Sequence, residues 1–230
     1  MEHLNIPLFL QKIADQNKLL AGALADKNGA GMLKLMLANA EVPEKYKSIF
    51  YDMPKNALCL DCGANVGLIT DIILFVNGQT VCFEPNKTAL NMLYKKYSDN
   101  SNVKIEPVAV SDKNATAELC CYGQYDRGAN ICDFHGEPEK PKNISCKVDT
   151  IRLSEYINNL SEDVYLLKLD IEGSEFKVVP DLIESGAINR CKYVLCETHA
   201  RFFSDGEKRL KQLQKIISDN KITNIYMEWI

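Results

Sequence analysis

Apolar and polar positions alternate along this chain in blocks that predict strands and helices in turn. From residue 58 onward, short continuous apolar runs are followed by segments in which apolar residues recur with helical spacing. Continuous runs of this kind are typical of parallel strands that are buried on both faces. The pattern predicts these elements in order: strand 58–62, helix 68–76, strand 79–84, helix 86–97, strand 103–110, strand 164–170, helix 175–182, strand 193–198, helix 207–219 and strand 222–229. The order is typical of the α/β class, with helices on both faces of a doubly wound, mostly parallel sheet.

The N-terminal region departs from this alternation. Residues 3–37 carry helical apolar spacing that is interrupted around Gly29, and residues 43–50 add a short helical segment. We therefore expect an N-terminal helical extension over residues 1–54 and a main domain over residues 55–230, together forming one compact domain. The extension contains no recognisable chemistry, and we expect it to cover one face of the sheet.

The second departure lies inside the main domain. Strand-like runs at 115–122 and 144–148 flank a polar segment at 123–143 that contains glycines, prolines and charges of both signs. This arrangement predicts an inserted β-hairpin with a long excursion, and a loop of that length in a compact domain is usually functional or disordered.

Composition narrows the class of protein. A chain of 230 residues with 46% apolar and 25% charged residues is suited to a single globular domain with a sizeable core. The net charge of −4 and the scattered Lys and Arg residues argue against a nucleic-acid partner. No apolar run is long enough to predict a membrane span. The N-terminus lacks a basic leader region and the nine cysteines are odd in number, so we expect a cytoplasmic protein with reduced cysteines.

The stretch L-C-L-D-C-G-A-N-V-G at residues 58–67 carries the clearest chemical signal. It predicts a buried strand that ends near an acid, Asp61, followed by a turn that Gly63 and Gly67 bracket. Gly63 can adopt a positive φ and lets a ligand approach the backbone, while Gly67 allows the next helix to pack closely on the strand. The N–H groups of the first turn of that helix are then available to a ligand.

The spacing of the glycines argues against a dinucleotide. Ala64 and Asn65 stand where a G-x-G-x-x-G motif needs its middle glycine for contact with a pyrophosphate. Glu84 closes the next strand about 20 positions after Gly63, the spacing at which an acid accepts hydrogen bonds from ribose hydroxyls. A nucleoside without a pyrophosphate, held by Asp61 and Glu84, indicates S-adenosylmethionine. The alternative is that Asp61 caps a helix and Glu84 is a surface acid.

The carboxyl ends of the later strands are rich in ionisable residues: Asp170, Glu172, Glu175, Glu197 and His199. Ligands of open α/β sheets bind beyond these ends, so the side chains are candidates for a site. Carboxylates that are buried together need partners. We expect the partner to be a sulfonium, an amine, Lys168 or a metal ion.

Several motifs together resemble the FkbM family of S-adenosylmethionine-dependent methyltransferases. They are L-D-C-G-A-N-V-G, F-E-P-N, V-A-V-S-D, V-D-T-I, L-K-L-D-I-E-G-S-E and a late E-T-H, and they span residues 58–199 in the expected order. The resemblance implies a Rossmann-like class I methyltransferase fold and O-methylation, often of a sugar hydroxyl in a polysaccharide or a glycosylated natural product. The final single strand departs from the closing hairpin that is customary in that fold.

The resemblance also implies roles for individual residues. Around the methionine part of the cofactor it places Asp61, Gly63, Asn65 and Gly67. Glu84 holds the ribose, and Ser111 and Asp112 lie near the adenine. Asp170 and Glu172 face the reacting centre, where Asp170 also contacts the cofactor.

A hydroxyl acceptor requires a base, and His199 is our first choice, with Asp170 or Glu172 as the alternative. For contacts to the acceptor we name Glu197 and, in the excursion of the hairpin, Tyr125, Asp126, Arg127, Asn130 and His135. A magnesium or manganese site at Asp170, Glu172, Glu197 and His199 is chemically possible, but we expect no metal because cofactor contacts explain the acids equally well.

Three other functions remain open from the sequence. The chain can be a non-catalytic protein that binds S-adenosylmethionine, a methyltransferase that acts on nitrogen, or a dehydrogenase. The intact cofactor loop argues against the first, and the absence of an N-P-P-[FY] motif and of a basic aromatic groove against the second. The missing middle glycine argues against the third.

Overall fold

The computed structural model describes residues 29–121, 130–131 and 144–228. The chain divides into two compact units, Met1–Ser48 and Ile49–Ile230. In the first unit, the described residues form helix α1 (Ala30–Asn39) and a 3₁₀ turn at Glu44–Tyr46. The segment predicted as a helix before Gly29 lies outside the described residues, and the domain boundary after residue 54 stays a prediction.

A six-stranded parallel sheet forms the centre of the second unit. Its strand order is β10-β9-β8-β1-β2-β3, and every neighbouring pair is parallel. The strands are β1 (Leu58–Cys62), β2 (Gln79–Phe83), β3 (Val103–Glu106), β8 (Val164–Leu169), β9 (Cys191–Cys196) and β10 (Ile225–Tyr226). This mostly parallel α/β architecture confirms the predicted fold class.

Helices precede or connect these strands. They are α2 (Lys47–Tyr51), α3 (Leu68–Phe75), α4 (Lys87–Tyr97), α5 (Leu153–Asn158), α6 (Glu175–Glu184) and α7 (Gly206–Asp219). The alternating pattern predicts α3, α4, α6 and α7. Helix α4 shows why the sequence folds this way: its buried residues Leu90, Leu93 and Tyr97 recur at helical spacing. Asn86 caps its N-terminus, because its side-chain oxygen accepts a hydrogen bond from the Thr88 N–H at 2.8 Å.

The two central strands determine where a ligand can bind. All residues of β8 are buried, and β1 pairs with it so that Cys62 lies opposite Leu169. The chain runs outward from β1 through β2 and β3 on one side, and through β8, β9 and β10 on the other. The strand order therefore reverses between β1 and β8, and the crevice beyond the carboxyl ends at such a point is the usual ligand site.

A second sheet holds the predicted hairpin. Its order is β4-β7-β5-β6, with β4 (Ala109–Ser111), β5 (Ala115–Cys121), β6 (Asn130–Ile131) and β7 (Ile144–Arg152). Strands β5 and β7 pair antiparallel from Ala115 with Thr150 to Cys121 with Ile144, which confirms the inserted hairpin. Most of its predicted excursion lies outside the described residues.

Two predicted strands differ from the structure, and one helix was missed. The run at 103–110 is not one strand, because the chain leaves the first sheet after Glu106 and joins the second as β4. Within the described residues, which end at 228, the last strand is Ile225–Tyr226, and its apolar neighbours Ile222 and Met227 pack against the core outside the strand. Helix α5 was not predicted.

Most of the described cysteines are free thiols packed in the core, as expected for reduced cysteines. Cys59, Cys62, Cys82, Cys191 and Cys196 are free and buried, and Cys146 is free and half-buried. Burial raises the pKa of the five buried thiols, to about 12 at Cys82 and Cys191. Cys120 is disulfide-bonded, so the expectation of reduced cysteines is wrong at this position.

Candidate active site

A cleft opens beyond the carboxyl ends of β1, β2 and β8. The turn after β1, the end of β2, the hairpin sheet and the segment after β8 all contribute to its wall. The lining residues are Gly63, Asn65, Phe83, Glu84, Pro85, Asn86, Ala89, Ala109, Val110, Leu119, Asp170, Ile171, Glu172 and Ser174. The cleft thus combines apolar surface with carboxylates, as cofactor sites commonly do.

The end of β2 holds the turn that follows β1. The N–H groups of Gly63 and Ala64 both donate to the carbonyl oxygen of Phe83, at 2.9 and 3.1 Å. Asn65, whose φ is 49°, directs its N–H to the Oε2 atom of Glu84 at 2.8 Å. The turn and the acid therefore form one hydrogen-bonded unit at the mouth of the cleft.

Glu84 is a buried carboxylate, 7% exposed, that lines the cleft. Its Oε1 atom accepts a hydrogen bond from the Asn86 N–H at 2.8 Å, while Oε2 accepts the one from Asn65. Burial raises the pKa of Glu84, and these two N–H groups act in the opposite direction. Each oxygen retains a lone pair for a further donor.

Both glycines of the turn have the expected positive φ, 76° at Gly63 and 84° at Gly67. Their neighbours differ from the expected ones. A Cβ atom at Gly63 would collide with the backbone carbonyl of Asp170, and one at Gly67 with the phenol ring of Tyr97 in α4. The close approach that requires glycine is therefore between segments of the protein itself.

Lys168 lies between two carboxylates, as one of the expected partners. Its Nζ atom is 3.5 Å from Asp61 Oδ1 and 3.2 Å from Asp170 Oδ2, and it donates to the Gly63 carbonyl at 2.8 Å. Burial alone would lower the pKa of Lys168, but Asp170 and Asp61 outweigh it and raise the pKa above its ordinary value. The ammonium therefore stays charged and joins the ends of β1 and β8.

Asp61 is fully buried beneath the turn and is not among the described residues that line the cleft. Its Oδ2 atom accepts a hydrogen bond from Thr70 at 2.7 Å, whereas Oδ1 has no hydrogen-bond partner within the described structure. Direct contact with the cofactor stays a prediction for Asp61, and the observed contacts are with Thr70 and Lys168.

On the other side of the cleft, His199 is surrounded by carboxylates. Its Nε2 atom lies 3.3 Å from Glu172 Oε2, 3.3 Å from Glu197 Oε1 and 3.6 Å from Asp170 Oδ1, and its Nδ1 atom lies 3.3 Å from Glu175 Oε1. Burial would lower the pKa of His199, but its contacts with Glu175, then Glu172 and Glu197, outweigh it and raise the pKa.

His199 is only 1% exposed and is not among the residues that line the cleft. Asp170 and Glu172 lie between its imidazole and the open space, since both line the cleft and both approach Nε2. The three residues predicted as catalytic thus form one group, in which the carboxylates face the cleft and the imidazole lies behind them.

Glu172 combines an unusual backbone with an unusual pKa. Its φ is 53° and that of the following Gly173 is 103°, so a tight left-handed turn joins β8 to α6. Non-glycine residues in this region carry strain that is common at functional sites. Burial raises the pKa of Glu172 to about 7.

The pKa values of Asp170 and Glu197 are shifted in opposite directions. Burial would raise the pKa of Asp170, but Lys168 and His199 outweigh it and hold the pKa below its usual range. At Glu197, burial and the Asp170 carboxylate raise the pKa, although His199 and Arg201 act against them. The group therefore holds both an ionised carboxylate and sites for a proton near neutral pH.

The same group has the spacing of a metal site. Ligand atoms of Asp170, Glu172 and His199 all lie within 4.8 Å of one another, in the part of the chain that the structure describes. Oxygen ligands with one imidazole suit magnesium or manganese. However, Lys168 already pairs with Asp170 at 3.2 Å and Arg201 with Glu197 at 3.1 Å, so the protein supplies cations of its own.

The remaining predicted residues are placed as follows. Ser111 ends β4 and donates its hydroxyl to Asp112 at 3.0 Å, and neither lines the described cleft, although the adjacent Val110 does. Asn130 begins the short strand β6. Tyr125, Asp126, Arg127 and His135 lie outside the described residues, so their contacts with an acceptor stay predictions.

Some site residues were missed by the sequence analysis. The hairpin sheet contributes Ala109, Val110 and Leu119 to the cleft wall, which no motif indicated because the strands that carry them join the sheet only in the folded chain. Thr70 was missed as the partner of Asp61, although a polar residue inside the apolar helix 68–75 is the kind of signal that indicates one. Glu175 was named among the ionisable residues that follow the strands, but not as the partner of His199.

The parallel six-stranded sheet, with its cleft at the point where the strand order reverses, is consistent with a class I methyltransferase fold. The family model of the methyltransferase FkbM domain matches residues 61–222. This match covers more than half of the chain, and the chain belongs to the FkbM methyltransferase family. No curated protein matches it.

None of the helices in the described part of the chain is long and apolar enough to cross a lipid bilayer.

Proposed function

We propose that this protein is an S-adenosylmethionine-dependent O-methyltransferase that acts on a hydroxyl of a sugar or glycan, or of a glycosylated natural product, in the cytoplasm. The supporting observation is that a single cleft is lined by both Glu84 and Glu172. Glu84 offers acceptor atoms for ribose hydroxyls, and Glu172 offers a group that can take a proton near neutral pH.

The residues around the turn fit the nucleoside of this cofactor. Glu84 is held by the N–H groups of Asn65 and Asn86 at 2.8 Å each, which fixes its carboxylate towards the cleft without using all its lone pairs. The apolar side chains of Phe83, Ala109 and Leu119 supply surface for a planar base. S-adenosylmethionine, when bound, supplies an electrophilic methyl group.

The acidic side of the cleft is suited to the acceptor. A sugar hydroxyl is a poor nucleophile at neutral pH, and a positioned base contributes about 10² to 10⁴ in rate. Glu172 and Asp170 face the cleft, and we assign to them the hydrogen bond from the acceptor hydroxyl. His199 behind them, 3.3 Å from Glu172, takes up the proton. Glu197, near the same imidazole, and residues of the hairpin excursion hold the acceptor.

Product formation tests this proposal. The protein is incubated with S-adenosylmethionine and separate pools of free sugars, glycosides, polysaccharide, peptide and nucleic acid, and S-adenosylhomocysteine is quantified. We expect turnover with a carbohydrate pool and a methyl ether in the product. Methylated nitrogen as the only product would show an N-methyltransferase. Binding of S-adenosylmethionine without turnover in any pool would show a non-catalytic protein.

A further inference from the structure

Glu175 is a fully buried carboxylate beside His199. Its Oε2 atom accepts a hydrogen bond from the Gly173 N–H at 2.8 Å. Its Oε1 atom accepts one from the backbone N–H of His199 at 2.5 Å and lies 3.3 Å from the Nδ1 atom of the same residue. One side chain thus contacts both the backbone and the ring of His199.

A role at the helix terminus alone does not account for these contacts. Glu175 is the acid in the first turn of α6, where a negative charge is favourable. However, its Oε1 atom is directed at a residue from the segment after β9, 24 positions along the chain. An exposed acid would serve the helix equally well, as Glu155 does in the first turn of α5.

The contact bears on which nitrogen of His199 carries a hydrogen. Both oxygens of Glu175 already accept hydrogen bonds from backbone N–H groups, so we assign the hydrogen of the ring contact to Nδ1 as a third donor. In the neutral imidazole, Nε2 is then left with its lone pair. That atom is the one 3.3 Å from Glu172 and 3.6 Å from Asp170, the two carboxylates that line the cleft.

We propose that Glu175 is a positioning residue, which holds His199 in the Nδ1–H tautomer with Nε2 directed at the cleft-lining carboxylates, and thereby makes His199 able to accept the proton of the acceptor. The proposal rests on the proposed function and extends it by one residue. In the balanced step, the acceptor oxygen would form a bond to the methyl carbon while the bond from that carbon to the sulfonium sulfur breaks and its electron pair stays on sulfur, and the proton of the acceptor passes through Glu172 to Nε2. Glu175 itself contacts neither acceptor nor cofactor.

The pH dependence of this group follows from the charges around it. Four carboxylates surround His199. Glu175 belongs to α6, Asp170 and Glu172 to the segment after β8, and Glu197 to the segment after β9. Arg201 pairs with Glu197. Removing one negative charge makes every protonation in the group less favourable. The pH at which turnover rises should therefore move downward when Glu175 becomes neutral.

The first test is read out on the wild-type protein, and a variant serves only to assign its signals. In protein labelled with ¹⁵N-histidine, two-bond ¹⁵N–¹H correlations show which ring nitrogen is protonated. The chain has three histidines, and the His199 signals are those missing in His199→Gln. We expect the Nδ1–H tautomer for neutral His199. A population that is mainly Nε2–H overturns the proposal, whether or not the protein is found to transfer methyl groups.

The second test compares Glu175→Gln with Glu155→Gln, which removes an exposed first-turn acid from α5. We expect kcat to fall at least about tenfold in Glu175→Gln, with an unchanged KM for S-adenosylmethionine, and the rising limb of kcat against pH to move to lower pH. Glu155→Gln should match the wild type. If kcat of Glu175→Gln rises over the same pH range as that of the wild type, the proposal is contradicted. If the wild type shows no turnover, the proposed function is contradicted instead.

Discussion

Asn65 donates its backbone N–H to Glu84 across the mouth of the cleft, at 2.8 Å. The hydrogen bond joins the turn after β1 to the end of β2, which are 19 positions apart in the chain. Because Asn65 has a left-handed backbone, its N–H can point at the acid, and the turn and the carboxylate take their places together. This contact underlies the first prediction.

Glu84→Gln should weaken the binding of S-adenosylmethionine. The amide keeps one acceptor oxygen but loses the charge, and its NH₂ group then faces a backbone donor. A hydrogen bond to a charged group contributes about 1.5–3 kcal/mol, so we expect at least a tenfold rise in Kd, measured by titration calorimetry. Glu106→Gln is the matched control, because Glu106 ends the neighbouring strand β3 and pairs with Lys104. Equal affinities for Glu84→Gln and the wild type would refute the ribose assignment.

Gly63→Ala should destabilise the protein far more than Gly186→Ala. Both glycines have a positive φ, 76° and 75°, but only at Gly63 does a Cβ atom meet backbone, that of Asp170. Strain at Gly186 costs about 1 kcal/mol, which lowers Tm by about 2–4 °C in a domain of this size. Thermal unfolding followed by circular dichroism checks the comparison, and similar Tm values for the two variants would argue against the close packing of Gly63.

His199→Gln should lower turnover with little change in cofactor affinity. The imidazole lies behind Asp170 and Glu172 and is not among the residues that line the cleft, so its loss removes the proton acceptor without removing a contact to the cofactor. We expect kcat to fall by about 10² to 10⁴, measured as S-adenosylhomocysteine formation. Wild-type turnover in this variant would exclude His199 as the proton acceptor.

Glu172→Gln should change how stability depends on pH. The folded state raises the pKa of Glu172 to about 7 from 4.5, so the stability contributed by its protonated form is complete below pH 4.5 and is lost as the pH rises through 7. Relative to the variant, the wild type should therefore lose up to about 3 kcal/mol between pH 5 and pH 8. Urea unfolding at both pH values measures this difference, with Glu207→Gln on the exposed side of α7 as the control. A difference between wild type and Glu172→Gln that is the same at both pH values would contradict the assignment.

A chelator should leave activity unchanged. The group Asp170, Glu172 and His199 has the spacing to hold a metal ion, but Lys168 already pairs with Asp170, and Arg201 pairs with the adjacent Glu197. Methyl transfer is measured with and without excess EDTA, followed by addition of magnesium or manganese. If EDTA abolished activity and added metal restored it, the group would be a metal centre, and the assignment of His199 as proton acceptor would be wrong.

The elements that the sequence predicted well are those with long apolar runs. The bounds of β1 were predicted correctly, and those of β2, β8 and α4 within a residue, because burial on both faces or on one helical face leaves a clear pattern. Helix α5 escaped prediction since it has only six residues and its N-cap, Arg152, makes no side-chain cap hydrogen bond. Such short elements depend on tertiary packing more than on local pattern.

The sequence predicted which strand ends contribute residues to the site, but not how those residues are arranged within it. Parallel strands place their carboxyl ends together, so Asp170 and His199 were expected near each other and are, at 3.6 Å. The burial of the individual side chains was not predictable, because nothing in the spacing of Asp61 or His199 indicates that both lie behind the surface of the cleft. Burial depends on how neighbouring segments pack, as Lys168 and Glu175 show by occupying the positions next to these two residues.

The ammonium of Lys168 touches the Gly63 carbonyl and the Asp61 and Asp170 carboxylates at once. Local opening at the end of either β1 or β8 would strip this buried cation of part of its counter-charge, which is costly away from water. The two strand ends are therefore expected to fluctuate together, as one cooperative unit. A ligand that tightens one of them would stiffen the other without touching it.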